Sequence, residues 1–96
     1  MKYGQFTTFQ TVDGKAEELR NILLQASKEM CVTKSCQQYT IGSDKEATNT
    51  LHVFEVWETK EDHDSSLNSE EAKELISKAM PLLAGRPQSV AMEISE

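Results

Sequence analysis

Long apolar runs are missing from this sequence. Its longest stretch without Asp, Glu, Lys or Arg is Tyr3 to Val12, ten residues and half polar, whereas crossing a bilayer takes about 20 apolar residues. No membrane helix is expected. The opening MKYGQFTTFQ has neither an apolar core nor a small-residue cleavage site, so the chain reads as cytoplasmic. Cysteine is scarce: Cys31 and Cys36 stand at C-x4-C spacing, and without a secretory sign a disulfide between them is not expected. His52 and His63 bring the potential zinc ligands to four. No pair has the short C-x2-C or H-x3-H spacing that fixes two ligands in one turn, so no metal is expected. Basic charge is also in deficit, with 10 Lys and Arg against 16 Asp and Glu. No basic cluster interleaved with aromatics is available to track a phosphate backbone, which argues against nucleic acid.

What is present suits a single domain spanning 1-96. Hydrophobic residues make up 38% and charged residues 27%, a globular rather than disordered or fibrous composition. The net charge of −6 resides entirely between Glu55 and Glu74, where eight acids face Lys60 and Lys73. That run reads as the solvated face of helices rather than a metal site.

Strand character fills Tyr3 to Val12, where Phe6, Phe9 and Val12 sit among Thr and Gln. Asp13-Gly14 supplies a predicted N-cap and turn, and Leu19, Ile22, Leu23, Ala26 and Met30 mark one face of a helix over about 14 to 30. Cys36 to Ser43 and Thr50 to Trp57, joined by the turn-rich GSDKEATN, predict a hairpin. Thr59-Lys60-Glu61-Asp62 has the form of a capping signal for a short helix to about Leu67. Ser69 caps a second helix with apolar positions Ala72, Leu75, Ile76, Ala79, Met80 and Leu83, stopped by Gly85-Arg86-Pro87, and Ser89 to Ser95 alternates as a last strand. The order β-α-β-β-α-β gives an α+β, ferredoxin-like sandwich: a four-stranded antiparallel sheet with its helices on one face.

The strand from Thr50 is apolar on both faces. Leu51, Val53 and Trp57 share a parity with Glu55, while Phe54 and Val56 share the other with His52. If helices cover the Trp57 face, the opposite one needs a second cover, and the same sheet of another subunit is the economical one. A homodimer through His52, Phe54 and Val56 is expected. The alternative is an irregular strand with Phe54 and Val56 lying singly at the surface.

Lys34-Ser35-Cys36-Gln37-Gln38-Tyr39, the strand Phe54-Glu55-Val56-Trp57-Glu58, the turn Leu67-Asn68-Ser69 and the run Met80 to Pro87 together resemble the antibiotic biosynthesis monooxygenase family of dimeric α+β barrel proteins. The resemblance implies two sheets face to face and a pocket in each subunit between sheet and helices. It further implies cofactor-independent oxygenation of hydroxylated polycyclic aromatics, although relatives degrade haem or process small signalling molecules. Where family members often carry a His before the turn, Ser66 stands here, and Glu71 takes the place of a second His. Ile76 and Thr7-Thr8 stand near the positions of the haem-degrading relatives' His and Asn, so no axial ligand remains for haem.

An oxygenase without metal or flavin needs a base to make an electron-rich anion, donors to hold it, and a dry pocket. Glu55 is the candidate base, with His63, six residues past Trp57, as a replacement for the absent family His. Trp57 and Tyr39 are the candidate substrate-binding donors. Each also has a structural reading. Trp57 can be a core aromatic with a backbone partner, Glu55 an ion-pair partner of Arg20 or Arg86, Tyr39 hairpin packing, and His63 an exposed imidazole. The expected function is a monooxygenase acting on a small hydroxyaromatic or quinol with no cofactor. The alternative is a non-catalytic small-molecule binding protein of the same fold.

Overall fold

A computed structural model describes residues 1–95. Lys2–Gln10 forms β1, Ala16–Met30 α1, Cys36–Ser43 β2, Thr50–Trp57 β3, Lys60–Ser66 α2, Glu70–Ala79 α3 and Gln88–Ile94 β4. The strands make one antiparallel sheet in the order β2-β3-β1-β4, and the helices pack on one of its faces, as the ferredoxin-like order requires.

The predicted caps of the later helices are present. Thr59 Oγ1 accepts from the Asp62 backbone N–H and Ser69 Oγ from that of Ala72, each at 3.1 Å, contacts worth about 1 kcal/mol apiece. The predicted Asp13 cap is not: Lys15 occupies the N-cap of α1 without a side-chain bond, while Asp13 Oδ1 accepts from Asn49 Nδ2 at 3.1 Å. The turn itself holds, with Gly14 at φ 80°, a conformation that favours glycine. The second predicted helix stops at Ala79 and continues as a 3-10 turn, Met80–Leu82, because Pro81 lacks the N–H that the next helical bond would need.

The core joins Leu19 and Leu23 of α1 to Leu51 and Val53 of β3, with Leu82 closing one end. On β3 the parity reading is correct: Leu51, Val53, Glu55 and Trp57 are all buried on the helix side. The opposite face carries His52 and Phe54, half-buried, but Val56 needs no second subunit, being only 8% exposed. Its ladder partner is Gly4, where an added Cβ would lie 2.6 Å from Ile94 Cδ1 and 3.0 Å from Met92 Cγ. β4 thus folds its side chains across the gap that the glycine leaves. The exposed apolar surface of this face lies instead at Phe6, the ladder partner of Phe54, and at Val90, which pairs with Phe6 on its other side.

Cys31 and Cys36 are joined in a disulfide, contrary to expectation, with a Cα–Cα distance of 5.0 Å. Cys31 ends α1 and Cys36 opens β2, so the reversal from helix to strand brings the two sulfurs together. Reasoning from compartment does not reach this pairing, because the reversal is a matter of backbone path.

Candidate functional site

Between the covered face of the sheet and helices α1 and α3 lies a cavity of about 260 Å³. Ile22, Leu23 and Met30 of α1 and Leu75 and Ile76 of α3 give it apolar walls. Its polar groups come from the strands and from α2: Gln5, Thr7, Tyr39, Glu55 and His63.

Glu55 and His63, predicted separately as base and substitute base, meet here. His63 Nε2 lies 3.7 Å from Glu55 Oε1, and both residues are buried. The structure thus overturns the exposed reading of His63, and Glu55 is paired with Trp57 and His63 rather than with Arg20 or Arg86. Trp57 Nε1 donates to Glu55 Oε1 at 3.0 Å. Burial pushes the Glu55 pKa up, against the pull of the Trp57 N–H and the His63 charge; a carboxyl so placed is a stronger base than a solvated one.

The other ring nitrogen of His63 is engaged by Asp64 Oδ1 at 3.0 Å, and Asp64 is fixed in turn by Lys60 Nζ at 2.7 Å. The Lys60 hydrogen bond and then the His63 one hold the Asp64 carboxyl below its ordinary pKa. An ionised Asp64 orients the imidazole so that Nε2 faces Glu55 at 3.7 Å, beyond direct hydrogen-bond distance. The ring is further fixed by Tyr3, with centroids 5.3 Å apart, and by the edge of Trp57 at 5.9 Å.

Trp57 does not offer its N–H to a ligand, because Glu55 takes it; the indole lines a second depression, with Met30, Asp62 and Ser69. Ser66 lines that same depression, and its hydroxyl donates to the His63 carbonyl at 2.6 Å. The imidazole of the cavity therefore comes from one helical turn before the position where the resemblance places a family His. Tyr39 does line the cavity, and burial, followed by the Glu55 charge, raises its phenol pKa so that it remains a donor. His52 lies on the opposite face, where Thr8 Oγ1 meets its Nδ1 at 3.1 Å and Asp44 Oδ2 its Nε2 at 2.7 Å.

Sequence reasoning missed Gln5, Thr7 and Asp64. Gln5 and Thr7 sit at alternate positions of a strand, between Tyr3 and Phe9 on the helix side, and a polar pair there is the available signal. Asp64 is hidden in the acidic run, where it reads as part of a solvated face.

The model of the antibiotic biosynthesis monooxygenase family matches residues 3–78, the span that carries Glu55, Trp57, His63 and most of the cavity. The chain belongs to that family. Among solved structures, a provisional antibiotic biosynthesis monooxygenase of Caulobacter crescentus superposes with a TM-score of 0.91 at 18% identity, covering 99% of this chain and 91% of that one. A second provisional monooxygenase, from Chloroflexus aurantiacus, gives 0.84 at 21% identity over 100% and 97%. A conserved protein of Methanosarcina mazei gives 0.89 at 17% identity over 99% and 94%. At these identities the structures establish the fold alone. No curated protein matches the sequence. Among the described residues no helix is long and apolar enough to cross a membrane, and no cluster of three or more His, Cys, Asp or Glu is arranged to hold a metal.

Proposed function

We propose that this family member is a cofactor-independent monooxygenase acting on a small hydroxyaromatic or quinol, with Glu55 as the base. The observation that carries this reading is a buried carboxylate of raised pKa at the polar end of an apolar cavity, backed by His63 and Asp64. Glu55 removes the proton of the substrate hydroxyl, with the His63 imidazole facing it from α2, and the anion transfers electrons to O2. For an activated methylene, the carbon gives up both hydrogens and gains a carbonyl oxygen from O2, while the second oxygen atom leaves with those hydrogens as water. The substrate supplies all the electrons. Apolar walls keep water from the anion. Trp57 is a positioning residue for Glu55 in this scheme, and Tyr39 a donor to the ligand.

The subunit is proposed to work as a homodimer joined through the outer sheet face, a reading supported by the row of Phe54, Phe6 and Val90 across three neighbouring strands, with Phe6 and Val90 exposed. A small molecule is the partner, with neither nucleic acid nor membrane, and the setting is cytoplasmic. Oxygen uptake with hydroxynaphthalenes, anthrones and quinols tests the activity. Turnover above the uncatalysed rate that falls about 10²–10⁴-fold in Glu55→Gln, with ligand binding retained, is the expected result. Saturable binding without uptake across the panel would favour the non-catalytic binding protein.

A further inference from the structure

Gln5 and Glu55 stand directly opposite each other in the β1–β3 ladder, on the face that lines the cavity. Opposite residues of an antiparallel pair have Cβ atoms about 4.5–5.5 Å apart, so an amide and a carboxylate lie side by side. Each is turned by other partners. The Tyr3 hydroxyl donates to Gln5 Oε1 at 2.6 Å, and Gln5 Nε2 donates to Thr7 Oγ1 at 3.2 Å. Thr7 is itself held by Ser89 Oγ at 2.9 Å.

This chain of bonds fixes what is left over. With its oxygen taken by Tyr3 and one amide hydrogen by Thr7, Gln5 keeps one N–H. Glu55 gives Oε1 to Trp57 and keeps Oε2. The described residues include no buried side-chain nitrogen or oxygen without a partner; Oε2, which no described protein group engages, is therefore accessible. Two residues that line the polar end of the cavity are thus left with one unused donor and one unused acceptor, side by side in the ladder, and the walls beyond are apolar.

We propose that Gln5 is the specificity-determining donor of this cavity, and that its ligand is an aromatic bearing on neighbouring carbons one hydroxyl, for Glu55, and one oxygen acceptor, for Gln5. This rests on the hydroxyaromatic reading above and narrows it. A ligand with a lone hydroxyl leaves the Gln5 N–H unpaired in an apolar setting, a loss worth one hydrogen bond. The positioning residue for Gln5 is Tyr3, whose ring also packs on His63, so one side chain orients both the donor and the imidazole that faces Glu55.

Titration calorimetry with 3-methoxy-2-naphthol and 2-naphthol tests the assignment, because the ratio of the two affinities cancels any general loosening of the fold. The wild-type chain is expected to prefer the methoxy compound about three- to tenfold. Gln5→Met is expected to bring the ratio to about one with 2-naphthol binding retained, and Tyr3→Phe to reduce it part-way. Should Gln5→Met fail to fold, Gln5→Leu takes its place in the same comparison. A wild-type ratio of one, or a preference that survives the loss of the Gln5 amide, overturns the proposal. If neither naphthol binds, the donor assignment and the hydroxyaromatic reading fall together. If the ratio behaves as expected while oxygen uptake stays at background, Gln5 stands and the catalytic reading alone fails.

Discussion

The bond from Trp57 Nε1 to Glu55 Oε1 makes a quantitative demand on stability. Trp57→Phe removes the N–H and leaves part of the indole volume empty at a site that is 1% exposed. The volume loss costs the same whatever residue stands at 55. The hydrogen-bond loss does not: a bond to a charged acceptor is worth about 1.5–3 kcal/mol and one to a neutral acceptor about 0.5–1.5 kcal/mol. In a double-mutant cycle with Glu55→Gln, Trp57→Phe is therefore expected to cost about 1–1.5 kcal/mol more in the wild-type background than in the Glu55→Gln background, at a pH where Glu55 is ionised. Urea unfolding of the four proteins measures this, and in a domain of this size 1 kcal/mol corresponds to about 4–8 °C in Tm. Repeating the cycle in acid, with the carboxyl protonated, should shrink the difference. An equal cost of Trp57→Phe in both backgrounds would show that the indole only fills space and does not tune the carboxylate.

Burial raises the Glu55 pKa, so the folded protein holds its proton more tightly than the unfolded chain does. The corresponding stability is complete below the ordinary carboxylate value and is lost as pH rises through the folded value. Glu55→Gln should consequently gain stability relative to wild type as pH increases over that window, seen as diverging Tm curves; parallel curves would refute the burial cost. Sedimentation equilibrium at micromolar protein should give twice the 10.8 kDa chain mass, and Phe6→Glu, on a residue already 38% exposed in the single chain, should leave a folded monomer. A wild-type monomer would remove the outer-face reading. Ser69→Ala should destabilise the chain by about 1 kcal/mol through loss of the cap on α3, with an unchanged melting curve counting against that cap.

Local chemistry makes most of the fold legible. The apolar spacing of α1, the Thr59 and Ser69 caps and the β-rich Thr50 to Trp57 each carry their signal within a few residues, and each element stands where that signal places it. The errors fall where a distant group competes for a side chain. Asp13 is a ready cap for α1 until Asn49, brought close by the sheet, offers its amide. Val56 has the parity of an interface residue, yet within the single chain it is already only 8% exposed, opposite Gly4 in the ladder. The Cys31–Cys36 bond depends on how sharply the chain reverses after α1.

The candidate site divides the same way. Strand side chains alternate with a period of two, and that rule alone puts Glu55 and Trp57 on one face; His63 is marked by its chemistry and its place after the strand. Other features belong to tertiary structure: α2 turns this imidazole inward onto Glu55, Trp57 commits its N–H to the carboxylate, and β1 sets Gln5 opposite Glu55. Most of those pairings join residues from separate elements. Their distances are set by strand register and helix packing across the whole sheet, which no local pattern encodes.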